Sequence, residues 1–120
     1  EVAARNPAAK PILELYEERF GSPMSEVAAG SFTAVLTLAK AMNDAGSIES
    51  DRVRTALLNL DIPGRDTIMP WNGVRFDGST HQNTGAAGVV EQVEANDVLR
   101  VVFPGELAQE PAKWPLSSAR

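Results

Sequence analysis

Few residues in this chain are of types that do chemistry, and their spacing argues against most of it. His81 is the only histidine. A metal site needs several ligands at fixed geometry, and only Asp77 lies close to His81 in sequence. The expectation is a loop histidine hydrogen-bonded to backbone. Without a Gly-x-Ser-x-Gly elbow, one histidine makes no nucleophilic triad. Gly85-Ala86-Ala87-Gly88 is glycine-rich like a phosphate loop, but the Lys-Ser/Thr pair that should follow is missing and a strand, not a helix, comes next. It reads as a flexible entry to a hairpin. Asp77-Gly78-Ser79-Thr80 lacks the alternating oxygen ligands of a calcium loop and reads as a turn. Glu14, Glu17 and Glu18 read as a solvated helix face. Glu91 and Glu94 flank a hairpin with no sign of the burial that would tune a catalytic acid. No catalytic residue, metal ligand or cofactor is expected.

The bulk properties narrow the classes further. A chain of 120 residues with 43% hydrophobic and 22% charged residues is globular rather than disordered. Eleven basic against sixteen acidic residues give a net charge of −5 with no basic block, so nucleic acid is not an expected partner. No apolar run approaches the roughly 20 residues that span a bilayer. The absence of cysteine excludes a disulfide scaffold, a thiolate metal site and a cysteine nucleophile. The chain opens on Glu1 rather than Met, which is expected to be a cut end, so the lack of a leader says little about the parent protein.

The elements that must position any site can be read in order. Asn6-Pro7 is a helix start, and Pro11 moves the first turn toward Lys10 or bends it there. Ile12, Leu13, Tyr16 and Phe20 form its apolar stripe, and Gly21 ends it. A second helix is predicted over Ser31–Ala45, closed by Gly46, with Phe32, Val35, Leu36, Ala39 and Met42 on its inner face. The third follows Ser50 and presents Val53, Ala56, Leu57 and Leu60. Asp61-Ile62-Pro63-Gly64 reads as a turn and Gly73–Phe76 as a short strand. Two β-rich runs, Gly88–Glu94 and Val98–Phe103, are joined by Ala95-Asn96-Asp97, whose Asn-Asp permits positive φ. Trp71 and Trp114, beside prolines, read as plugs at an edge of the core. The helical faces look too apolar for so small a sheet, so self-association, most simply as a homodimer, is expected of the isolated chain.

Taken together, these segments resemble the carboxy-terminal part of a branched-chain amino-acid ABC transporter substrate-binding protein. The matching residues are Asn6–Lys10, Tyr16–Gly21, Phe32–Val35, Ala41–Ser47, Val53–Leu57, Gly73–Asp77, His81–Asn83, Val89–Val93 and Trp114-Pro115, which cover nearly all of the chain. One departure is visible: the family often has Tyr-Asp-Ala where this chain has Phe32-Thr33-Ala34. The resemblance implies an α/β fold, a fragment of the two-lobed type I periplasmic binding protein architecture. It would form a single partial domain, with 1–22 as a helix of one lobe, 23–30 as the crossing between lobes, 31–103 as helices and strands, and 104–120 as an irregular tail. It places Val27, Ser31 and Phe32 at the cleft wall, where free N–H groups of a helix start would face the ligand; Phe32 is otherwise a core residue of its helix. The implied function is capture of a small amino acid or related carboxylate for uptake through an ABC permease, in the periplasm or outside the cell, without catalysis. The alternatives are a ligand-sensing domain of the same fold in a receptor or regulator, and an enzyme fragment.

Overall fold

The computed structural model describes residues 6–94 and 97–114. Among these residues the architecture is mixed helix and strand, with three helices and two small antiparallel sheets. The chain divides into two compact units at Ala87/Gly88.

The first unit begins with Asn6. Its Oδ1 accepts from the Ala8 amide at 3.0 Å, while its Nδ2 donates to the carbonyls of Gly64 and Thr67. One side chain thus shapes the entry to helix α1 (Lys10–Phe20) and ties it to a segment 58 residues away. Gly21 ends α1 in the left-handed conformation, its amide donating to the Glu17 carbonyl. Ile12, Leu13 and Tyr16 are half-buried, and Phe20 is exposed.

Helix α2 runs over Glu26–Ala45, so it starts five residues before the expected Ser31. The small residues Ala28, Ala29 and Gly30 are its first turns rather than irregular chain. The start is set by Ser25, whose hydroxyl accepts from the Ala28 amide at 3.2 Å. Gly46 ends it with φ +56°. The buried face also differs from expectation. Thr33, Thr37 and Ala41 are buried, whereas Val35 and Leu36 are exposed. Each residue advances about 100° around a helix, so the stripe centred on Phe32, Val35, Leu36 and Ala39 lies opposite the face on Thr33, Thr37 and Ala41. Two threonines can serve a core because their hydroxyls turn back. Thr33 Oγ1 donates to the Ala29 carbonyl at 2.9 Å and Thr37 Oγ1 to the Thr33 carbonyl at 2.8 Å.

Helix α3 (Ser50–Leu58) packs against α2. The core is Ala41, Val53, Leu60 and Val74, with Met42, Ala45, Ala56, Leu57, Ile62, Trp71 and Phe76 against it. Trp71 therefore plugs the core as expected. The stretch read as a turn at Asp61–Gly64 is a strand, β1 (Asp61–Pro63), followed by a 3-10 turn over Gly64–Asp66. It pairs antiparallel with β2 (Gly73–Arg75) in the register Asp61↔Arg75, Ile62↔Val74 and Pro63↔Gly73. Proline is tolerated because it ends an edge strand.

The second unit is a hairpin of β3 (Val90–Val93) and β4 (Leu99–Phe103), paired from Val90↔Phe103 to Val93↔Leu99 with an irregularity after Val90. Asp97 has φ +60°, the positive value expected at the hairpin tip; Ala95 and Asn96 lie outside the described residues. No helix or strand occurs over 104–114. That segment is fixed by hydrogen bonds that imitate strand pairing. The Val101 amide donates to Gln109 Oε1 at 2.9 Å, and the Gln109 amide to the Val101 carbonyl at 2.8 Å. Gln92 exchanges two bonds of 2.9 Å with the Lys113 backbone. Lys113 Nζ pairs with Glu94 and Glu110, which holds the Glu94 carboxyl below its ordinary pKa and raises that of Lys113. Trp114 is exposed and plugs no core edge, and Pro115 lies outside the described residues.

Candidate functional site

The residues expected at a ligand cleft all lie on α2, but they do not converge. Val27 and Ser31 are one turn apart on a common line and both are exposed, Val27 at 80%. Phe32 is about 100° further round the helix than Ser31 and is half-buried. Its ring belongs to the outer stripe with Val35 and Leu36. The backbone donors also fall elsewhere than expected. The Ala29 amide already bonds to the Ser25 carbonyl at 2.9 Å, so the helical ladder is established before Ser31. The amides that precede the ladder are those of Glu26 and Val27. Ser31 can offer its hydroxyl, not its backbone N–H.

Beside this line α2 borders an apolar groove of about 290 Å³. Thr33, Ala34, Thr37 and Leu38 form one wall; Leu57, Trp71, Val74, Phe76 and Asn83 are opposite. The threonines present methyl groups because their hydroxyls are consumed by the helix. Asn83 is also engaged within the fold. Its Oδ1 accepts from the amides of Arg75 and Gly85 at 2.9 Å each, and its Nδ2 donates to the Gly73 carbonyl at 3.2 Å. The groove thus has polar residue types whose threonine hydroxyls and Asn83 amide oxygen are engaged within the fold.

Asn83 acts with Gly85 to fix the loop after β2. A Cβ on Gly85 would collide with the backbone of Gly73, and one on Gly73 with the Ile62 carbonyl. The glycine-rich segment expected to be a flexible entry is, at Gly85, a close crossing of two backbones. The Asn72 amide donates to the Gly85 carbonyl at 2.9 Å and secures it.

The 77–80 segment is a turn, as expected. Asp77 Oδ1 accepts from the amides and the hydroxyls of both Ser79 and Thr80, at 2.6–3.0 Å. These donors, led by the Ser79 hydroxyl, hold the Asp77 carboxyl far below the ordinary carboxylate range. The His81 amide donates to the Asp77 carbonyl at 2.8 Å, and His81 takes a left-handed φ of +58°. Among the described residues the backbone bond of this histidine is made by its amide, and its imidazole has another partner. Its Nε2 lies 3.3 Å from Nη2 of Arg54 on α3. That pair, 27 residues apart, carried no signal in the sequence.

Glu14, Glu17, Glu18 and Glu91 are exposed. Among the described residues no three His, Asp or Glu side chains gather closely enough to hold a metal ion, and no helix is long and apolar enough to cross a membrane. No protein-family model matches the chain, and no curated protein sequence matches it significantly.

Proposed function

We propose that this chain is the carboxy-terminal part of a solute-binding protein of the two-lobed type I periplasmic class. In this reading the whole protein captures a small amino acid or related carboxylate outside the cytoplasmic membrane and delivers it to an ABC permease. No covalent step is involved. The observation that carries the reading is the two-sidedness of α2. One face, Thr33, Thr37 and Ala41, is buried in its own unit, while the opposite face keeps Val35 and Leu36 exposed. A helix apolar on both sides is suited to a position between two bodies, as the resemblance in the order and spacing of motifs also implies. The exposed line of Val27 and Ser31, beside the unbonded amides at the start of α2, would supply part of one cleft wall. An apolar side chain would rest on Val27, and a carboxylate would take the amides and the Ser31 hydroxyl.

Calorimetry on the complete protein and on the 120-residue chain, against a panel of aliphatic and aromatic amino acids, tests this. The complete protein should bind at least one of them, and the isolated chain none tightly, because such sites enclose most of the ligand surface. Micromolar binding by the isolated chain, a free energy of about −8 kcal/mol, would overturn the reading. So would a complete protein that binds no member of the panel.

A further inference from the structure

Among the described residues Arg54, like Arg19, has no carboxylate partner. Lys10, Lys40, Arg52, Arg65, Arg75 and Lys113 each lie within 4.0 Å of an acidic side chain. No carboxylate among the described residues forms an ion pair with Arg54, although Asp51 is one turn away on α3. Its contact is instead His81, another group that can carry positive charge. A guanidinium has only donors to offer, so in this contact His81 Nε2 takes the acceptor role. That contact employs one of five N–H donors. Among the described residues the rest of a fork that matches a carboxylate in shape has no protein partner.

The pair stands at the rim of a pocket of about 290 Å³, lined by Arg54, Leu57, Leu58, Phe76 and His81. Arg54, Leu57 and Leu58 share a helix face at i, i+3 and i+4, and all three apolar residues are half-buried. His81 is held over the pocket by the Asp77 turn, whose four donors to one carboxylate oxygen fix the loop. The arrangement is an apolar floor with one oriented cationic fork at its edge. The volume is at the small end of ligand pockets.

We infer that this pocket binds a small monocarboxylic acid with a compact apolar body, the carboxylate on the free donors of Arg54 and the body on Leu57, Leu58 and Phe76. His81 is a positioning residue that turns the guanidinium toward the pocket. The site is separate from the Val27–Ser31 line and does not depend on the function proposed above.

The test is an NMR titration of the 15N-labelled 120-residue chain with isobutyrate, acetate and the neutral isostere isobutyramide. Isobutyrate should give saturable shifts confined to Arg54, Leu57, Leu58, Phe76 and His81. Acetate should bind more weakly, and isobutyramide should leave these signals unmoved. Arg54→Gln, an exposed change whose spectrum itself reports the fold, should weaken isobutyrate binding by about tenfold or more. Arg19→Gln, which alters a guanidinium lying over Phe20 on α1, should leave it unchanged. Absence of saturable shifts, equal affinity for isobutyramide, or wild-type affinity in Arg54→Gln would each overturn the proposal. Acetate binding as tightly as isobutyrate would overturn it as well, because the apolar body would then make no contact with Leu57, Leu58 and Phe76.

Discussion

Thr37 donates its hydroxyl to the carbonyl of Thr33, 2.8 Å away and one turn earlier, so two threonines form the buried face of α2. The hydroxyl is satisfied inside the helix, and the methyl faces the groove. Thr37→Val should therefore stay within about 1 kcal/mol of the parent, because the bond it removes goes to a carbonyl the helix already engages. Thr37→Ser, which deletes the methyl, should cost about 1 kcal/mol. Urea unfolding midpoints separate the two. A loss of several kcal/mol in Thr37→Val would mean that the hydroxyl serves a polar partner.

The same threonines hide the facing of α2 in the sequence, whereas its end is plain there. Gly46 takes the left-handed conformation at which a helix stops, and Gly21 does the same for α1. Those signals depend on one residue's backbone. Val53 and Leu57 in α3, and Leu60 just beyond its end, are legible because only one face of that segment is apolar. In α2 the bulkier stripe, Phe32 to Ala39, attracted the assignment, but Thr33 and Thr37 pass as apolar once their hydroxyls fold back. The start is hidden because Ala28, Ala29 and Gly30 look like linker, whereas the Ser25 hydroxyl caps a helix there. Contacts between distant segments left no local trace. Asn6 with Gly64 and Thr67, Arg54 with His81, and Gly85 against Gly73 became visible only in the folded chain.

Glycine at two positions should respond in opposite directions. Gly30 lies within α2 with open space where a Cβ would go, so Gly30→Ala should stabilise by about 0.5–1 kcal/mol through helix propensity. Gly85→Ala drives a methyl into the Gly73 backbone and should destabilise by about 1–3 kcal/mol. Denaturant unfolding of both variants checks the pair. Equal and small effects would show that the loop gives way freely.

Asp77 predicts a pH response. Its folded carboxyl titrates well below the ordinary 3.8 because the charged form accepts four hydrogen bonds. A depressed carboxyl stabilises the fold above its unfolded value, and that contribution fades as the pH drops below 3.8 toward the folded value. Stability measured from pH 6 downward should fall less steeply below that point in Asp77→Ala than in the parent, and the variant should already be less stable at pH 6. Parallel acid limbs would show that this turn is not what titrates.

The exposed stripe of α2 should make the isolated chain self-associate. Val35 is 67% and Leu36 47% exposed on a face that its own unit leaves uncovered. Sedimentation velocity should show a concentration-dependent dimer, and the double change Val35→Glu, Leu36→Glu should return it to monomer with unchanged circular dichroism. A parent chain that stays monomeric over a wide concentration range contradicts this.

The line of Val27 and Ser31 and the separate position of Phe32 give the sharpest division of roles. In the complete protein, Ser31→Ala should weaken ligand binding by about 0.5–1.5 kcal/mol, the net value of one hydrogen bond, with little change in melting temperature because Ser31 is exposed. Phe32→Ala should do the reverse. The ring is half-buried about 100° round the helix from Ser31, so its removal should lower stability, by less than the roughly 3–5 kcal/mol of a fully buried aromatic, while the folded fraction keeps its affinity. Calorimetry and thermal unfolding on the same two variants read both quantities. Should Phe32→Ala lose tenfold or more in affinity at an unchanged melting temperature, the cleft wall runs along the outer stripe and Ser31 is only its neighbour. Should Ser31→Ala bind as the parent does, the start of α2 has no part in holding the ligand.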